Sequence, residues 1–346
     1  MGRSAISHPS VWSADALRAS GEWLVRLTSA EIAEVEVAVD ELDKVGLRLE
    51  TVRRAHFPLP ILGPRLQRVR DELLHGRGFV QVRGLPVEAL GRRRAAIAFW
   101  GIGAHIGDDV ASQNKHGHLL GHVRDLGESR SNASQRGPYS RETIPYHVDA
   151  CDIVGLCCAA VAKRGGESSV CSSGLIYNTM LERCPEYIEP LTQPIYRDRR
   201  DEVPSGKQPW YAIPVFNHHA GLLSVSIEPT YIGSVARHFD GVEPHTPQQL
   251  EAIRVVQELA VELRFDVAFE QGDMQFLHNH VIMHSRQAFE DFDDPDCRRH
   301  LFRLWLLNHD GRPLSDAYYE RHGERNKVRR PGGIVGPDTQ LNAPLE

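Results

Sequence analysis

GDMQFLHNHVIMHSR, residues 272–286, reads as a Gly-Asp turn, a short apolar strand over 274–277, and a His-rich segment whose apolar run 281–284 ends in polar Ser285-Arg286. The same texture extends in both directions. Apolar runs at 119–123, 153–161, 168–172, 211–216, 222–227, 267–270 and 301–307 are separated by Gly, Pro, Asn and Asp. Many short strands punctuated in this way predict a sandwich or barrel. Two helices interrupt them, over 174–183 and over 246–263, the second opening on Thr246-Pro247.

Upstream of residue 106 the pattern turns helical. Apolar residues recur at helical spacing from Ser29, which reads as an N-cap. A Pro-rich break at 57–64 is followed by helices over 65–75 and 87–103, with an alternating strand at 78–83 between them. The expected architecture is mainly β with flanking helices, a jelly roll of the cupin-like kind. An N-terminal helical segment (1–75) packs on a core (76–310), and a C-terminal tail (311–346) follows. From Arg329 that tail lacks periodicity and is expected to be loop-like or loosely docked.

Composition bounds the function. The chain has 346 residues, 41% hydrophobic and 25% charged, with a net charge of -6. That is enough to bury a large core. Mild acidity without a basic tract argues against nucleic acid and anionic lipid as partners. No apolar run approaches the ~20 residues that span a bilayer, and MGRSAISHPS lacks the apolar core of a signal peptide. The six cysteines, at 151, 157, 158, 171, 184 and 297, form no paired CxxC sets. They read as free thiols in a reducing, cytoplasmic setting. A homo-oligomer is left open.

Three motifs carry chemistry. In Tyr146-His147-Val148-Asp149, residues i and i+2 of an extended segment point to one side, so His147 and Asp149 can share an ion. A later histidine would complete a two-His-one-carboxylate face, which leaves positions on ferrous iron for a chelating cosubstrate and O2. His278, His280 and His284 compete. His280 and His284 have helical spacing, but Val281, Ile282 and Met283 favour a strand, and His284 leads directly into a polar loop, so His284 is preferred. Arg299 and Arg303 share one face of the strand with Leu301 and Trp305. Buried guanidiniums need acceptors, either structural carboxylates or an anionic ligand.

Together these features resemble the taurine dioxygenase-like family, which includes clavaminate synthase. The ordered matches are His147-Val148-Asp149, Gly165-Gly166-Glu167-Ser168, Gly272-Asp273 with Asn279 and His284, and Arg299 with Arg303. The resemblance spans roughly residues 75–310. It implies a double-stranded β-helix and an Fe(II)- and 2-oxoglutarate-dependent dioxygenase. Such an enzyme hydroxylates an unactivated C–H bond of a small, carboxylate-bearing molecule and releases succinate and CO2, in a specialised biosynthetic setting. His147, Asp149 and His284 would hold iron, and Arg299 and Ser168 would bind 2-oxoglutarate. Arg303 would touch the substrate. Because the carboxylate Asp149 is present, the chain does not resemble the halogenating relatives. Gln113, Asn114, Tyr146 and a lid over 196–216 are the candidate substrate lining. Two rivals stand beside this reading: a cupin-like metal enzyme that does not use 2-oxoglutarate, and a noncatalytic ligand-binding barrel.

Overall fold

A computed structural model describes residues 4–127, 139–238, 240–322 and 329–345. The chain opens with α1 (Ala14–Ser20), β1 (Leu24–Arg26), α2 (Ser29–Val45), α3 (Gly63–Leu74), β2 (Phe79–Arg83) and α4 (Val87–Ile106). Then come β3 (Asp109–Val110), β4 (Leu120–Val123), β5 (Ile144–His147), β6 (Ile153–Ala160), β7 (Arg164–Gly165) and β8 (Ser168–Ser172). Helices α5 (Ser173–Arg183) and α6 (Ile188–Thr192) lead to two hairpins, β9 (Ile195–Asp198) with β10 (Trp210–Ile213), and β11 (Phe216–His219) with β12 (Leu222–Val225). After α7 (Pro229–Ser234) and α8 (Pro247–Glu262) come β13 (Phe265–Val267), β14 (Met274–His278), β15 (Ile282–Arg286), β16 (Phe289–Glu290), β17 (His300–Leu307) and α9 (Asp316–His322).

Two sheets form the double-stranded β-helix. The larger runs β1-β2-β14-β6-β17-β3, with β4 also on β17, and the smaller runs β13-β8-β15-β5. Side-chain alternation assigns each face. Phe302, Leu304 and Leu306 of β17 join Val80, Val82 and Phe276 in a core covered by α2, α3 and α4. Their neighbours Leu301, Arg303 and Trp305 turn inward to a cavity between the sheets. The small sheet repeats the logic: Tyr146, Cys171 and Met283 pack outward against α5, α6 and α8, while His147, Ser168 and His284 face the cavity. No helix among the described residues is long and apolar enough to cross a membrane.

Several expectations are corrected. The N-cap of α2 is Thr28, one residue before Ser29. Its hydroxyl accepts from Glu31 N at 3.3 Å while Glu31 accepts from Thr28 N at 2.8 Å. The apolar run 211–216 is broken at Pro214 into two strands of different hairpins, because proline supplies no ladder donor. The run 267–270 is strand only as far as Val267; the strand begins earlier, at Phe265. The 196–216 segment is largely the β9–β10 hairpin and its turn, not a free loop. All six cysteines are free, but Cys297 is exposed, not buried.

The tail from Arg329 has little regular structure, as expected, yet it is firmly docked. Arg330 Nε donates to Asp152 Oδ2 at 2.9 Å, and its Nη2 to Asp152 Oδ1 at 2.5 Å. Gly333 N donates to Ala150 O at 2.6 Å, Leu119 N to Asn342 O at 2.8 Å, and residues 333–335 line the cavity. Composition hid this because an ion pair and scattered backbone hydrogen bonds, rather than an apolar periodicity, fix the segment.

Asp152 also takes His280 Nε2 at 3.0 Å and the backbone N–H of Asn308 at 2.9 Å. Burial alone would raise its pKa, but His280 and Arg330 hold the carboxyl far below the ordinary range. Asp152→Ala strands two buried bases and should cost about 3–5 kcal/mol in urea unfolding at neutral pH. A depressed folded pKa stabilises above the unfolded value of ~3.9 and loses that contribution as pH falls through the folded value. The difference between wild type and Asp152→Ala should therefore narrow below about pH 4. A difference that stays constant there would acquit this carboxylate.

Candidate metal centre and ligand cavity

Strand pairing brings the two histidines together. In the antiparallel β5–β15 ladder His147 lies directly opposite His284, and their ring centroids are 4.2 Å apart. Asp149 follows β5, and its Oδ1 lies 3.9 Å from His147 Nε2. One potential ligand atom from each of His147, Asp149 and His284 falls within 4.8 Å of the others. Such a trio can hold one ion on one face, with the rest of the coordination sphere open.

Each member is oriented by its surroundings. His147 Nδ1 donates to the Pro145 carbonyl at 2.9 Å, which leaves Nε2 with its lone pair toward Asp149. His284 Nδ1 is buried without a partner among the described residues. Asp149 Oδ2 accepts from Trp305 Nε1 at 2.8 Å and from Arg303 Nη1 at 3.3 Å. The Asp149 backbone N–H donates to Asn279 Oδ1 at 3.0 Å. Burial pushes the Asp149 pKa up, but Arg303 and the two histidines outweigh it and bring it down to about 2. Burial, reinforced by His147, takes His284 down to about 3. The neutral donors and ionised carboxylate that a divalent cation needs are thus already in place.

The competing histidines have other work. His280 is tied to Asp152. His278 sits at the end of β14, fully buried, with its ring 5.4 Å from that of His280.

The cavity has a volume of about 160 Å³, a size that accommodates a benzene-like molecule. Arg299 enters it from the start of β17. Its Nη2 donates weakly to Gly166 O at 3.4 Å, and its buried Nη1 has no partner among the described residues. Burial lowers its pKa to about 10. The Gly-Gly turn permits this approach. Both glycines have φ of 77°, and a Cβ on Gly166 would lie 3.0 Å from Arg299 Nε. Ser168 also lines the cavity and donates its hydroxyl to Gln275 Oε1 at 2.8 Å. An unsatisfied buried guanidinium fork beside a hydroxyl fits a carboxylate ligand.

Three expected substrate contacts do not reach the cavity lining. Tyr146 is adjacent to His147 on a strand, so it points the other way, into the core under α8. Gln113 is buried behind Arg303; its Nε2 donates to Leu119 O and Arg303 O, and its Oε1 accepts Arg303 Nε at 2.7 Å. Asn114 folds its own turn, accepting from His116 N at 3.0 Å and His118 N at 3.3 Å. Arg303 lines the cavity, but it is engaged by Gln113 and Asp149. The 196–216 segment does reach the cavity, bringing Arg199, Arg200 and Glu202 of the β9–β10 turn to the opposite wall, whereas sequence reasoning missed Glu228 and Tyr231 around α7 and Arg321 from α9. It also missed Trp305 as a partner of Asp149, although the alternation placing it beside Arg303 was visible.

Comparison with known proteins agrees with this geometry. Residues 44–305 match the family described as "Taurine catabolism dioxygenase TauD, TfdA family". An FR-33289 synthase of Streptomyces rubellomurinus is 32% identical over 90% of this chain and 92% of its own. A taurine hydroxylase-like protein, SAT17, of Stachybotrys chartarum is 30% identical over 85% and 77%. The fold is similar to that of asparagine oxygenase solved with Fe(II), 3-hydroxyasparagine and succinate. The TM-score is 0.66 at 17% identity, covering 91% of this chain and 99% of that one. The non-heme iron oxygenase OrfP with Fe and α-ketoglutaric acid gives a TM-score of 0.61 at 16% identity, covering 82% and 94%.

The geometry separates the histidines experimentally. His284→Ala should abolish stoichiometric Fe(II) binding by the purified protein. His280→Ala should keep it while lowering the melting temperature, since it disturbs the Asp152 cluster. Iron retained by His284→Ala and lost by His280→Ala would reverse the ligand assignment.

Proposed function

The chain belongs to the taurine catabolism dioxygenase TauD, TfdA family of Fe(II)- and 2-oxoglutarate-dependent oxygenases, and on that premise we propose that it hydroxylates an unactivated C–H bond of a small anionic molecule, with His147, Asp149 and His284 as its iron ligands. The observation that carries the reading is the ligand trio within 4.8 Å in the same cavity as the unpartnered Nη1 of Arg299.

Iron bound there with 2-oxoglutarate and O2 supplies an oxidant strong enough for C–H bonds, as 2-oxoglutarate is converted to succinate and CO2. The chain's own residues position and protect that chemistry. Trp305 and Arg303 hold Asp149 Oδ2, which leaves Oδ1 toward His147. The Pro145 carbonyl fixes the tautomer of His147. Arg299 and Ser168 take the distal carboxylate of the cosubstrate. Val123, Val148, Leu156, Phe269 and Leu301 form apolar walls that exclude water from the reacting carbon. Hydroxyasparagine and hydroxyarginine in the structurally similar oxygenases, and a relative named as a synthase, support a small-molecule substrate in a biosynthetic role. Arg299 disfavours a metal enzyme that does without 2-oxoglutarate, since its buried fork would then lack a function.

Anaerobic titration of the Fe(II) protein with 2-oxoglutarate should develop the weak visible charge-transfer band of the chelate, and Asp149→Ala should lose it. Arg299→Ala should need about tenfold or more 2-oxoglutarate for the same band, the cost of a charge-assisted pair. Iron bound without any band would favour the cupin-like alternative. An unchanged requirement in Arg299→Ala would remove Arg299 from the cosubstrate site.

A further inference from the structure

Among the described residues, six arginines and three carboxylates line the cavity. Most of the guanidiniums are accounted for. Arg303 pairs with Asp149, and Arg321 with Glu228. Arg286 donates to the carbonyls of Ser140 and Glu142. Arg299 is matched to the cosubstrate. Arg199 is different. It is only 7% exposed. Its Nε donates to Gln208 O at 3.1 Å, its Nη1 to Arg321 O at 2.5 Å, and its guanidinium lies 4.9 Å from the centre of the Tyr211 ring. Among the described residues it forms no ion pair with a carboxylate. Burial outweighs its surroundings and lowers its pKa from the ordinary value.

The backbone that presents it is strained. The next two residues, Arg200 and Asp201, have φ of 51° and 64°, a left-handed conformation that is costly for non-glycine residues. Glu202 N donates to Arg199 O at 3.0 Å, closing a tight turn. Asp198 holds it from below: its Oδ1 accepts Arg200 N at 2.8 Å, and its carboxylate is gripped by Arg237 at 2.8 and 2.9 Å. Asn or Gly would make this turn at lower cost. Arginine there brings two guanidinium-bearing residues to the cavity wall instead.

We propose that Arg199 anchors an oxyanion group of the substrate, carboxylate or sulfonate in chemistry, on the wall supplied by the β9–β10 turn. This is a different position from that of Arg299. The inference deepens the proposed function and rests on reading this cavity as the substrate chamber. It moves the recognition of substrate charge from Arg303, which is occupied with Asp149, to Arg199.

The test uses inorganic sulfate as the probe and the full chain, with no iron, 2-oxoglutarate or turnover. Melting temperature is followed against sulfate, with chloride at matched ionic strength as control. Wild type and Arg299→Gln should both be stabilised. Arg199→Gln should need about tenfold or more sulfate for half the effect, the loss of one charge-assisted interaction. If Arg199→Gln does not fold, Arg199→Met and Arg199→Lys replace it. Lysine keeps the charge without the fork and should retain part of the response; methionine should not. No sulfate effect in wild type, or the same half-saturation in wild type and the Arg199 variants, overturns the proposal. So does a response lost in Arg299→Gln and kept in Arg199→Gln. A normal sulfate response beside a failed 2-oxoglutarate titration would sink the reaction assignment and leave the anion site standing. The opposite pair of results would do the reverse.

Discussion

His284 stands directly across from His147 in the β5–β15 ladder, and the side-chain period of two makes that register decisive. A slip of one residue would carry both rings to the helix-covered face and bring Tyr146 and Met283 into the cavity. The register is held from both sides. The apolar neighbours Tyr146, Cys171 and Met283 are buried under α5, α6 and α8, and five consecutive residue pairs join β15 to β8. The centre thus draws its geometry from a packed sheet rather than from a loop, and rigid elements are what hold ligands to tolerances of a few tenths of an ångström.

Two aspartates three residues apart show how the same side chain serves opposite ends. Asp149 is half-committed: Trp305 and Arg303 take one oxygen, and the other faces the cavity. Asp152 is fully committed, taking His280, Arg330 and the backbone of Asn308. Both precede β6, but Asp149 lines the cavity, whereas Asp152 lies outside the lining and pairs with the tail. Through Arg330 the second aspartate ties the tail from residue 329 to the start of β6, and residues 333–335 of that tail line the cavity.

The motifs read from the sequence were those whose chemistry is local. The spacing in His147-Val148-Asp149 and the even separation of Arg299 and Arg303 follow from strand period alone, and the structure honours both even though a register shift separates His300 from Leu301. Tyr146 was misassigned against that same rule, since a strand neighbour of an inward residue must point out. Gln113 and Asn114 were nominated from a turn-rich stretch, where polarity reflects the hydrogen bonding of the turn itself. The 196–216 segment was legible as cavity lining, but Arg199 within it was not, because its turn uses Arg and Asp at positive φ, residue types that carry no such signal. The tail was misjudged because an ion pair and isolated backbone hydrogen bonds leave no periodic trace.

Arg299 and Arg199, neither paired with a carboxylate among the described residues, are housed alike. Arg299 lies 5.2 Å from the Phe289 ring centre, and Arg199 lies 4.9 Å from that of Tyr211. Each also donates to backbone carbonyls. An aromatic face stabilises a buried cation without consuming its N–H donors, whereas a carboxylate neighbour would occupy the fork. A protein that must keep a cationic fork both dry and open to a ligand therefore gains from rings and carbonyls more than from acids. Arg303 shows the other solution: its fork is filled by Gln113 and Asp149, and it orients that carboxylate. The contrast between filled and open forks, more than the number of arginines, distinguishes residues that shape this cavity from residues that wait for something to enter it.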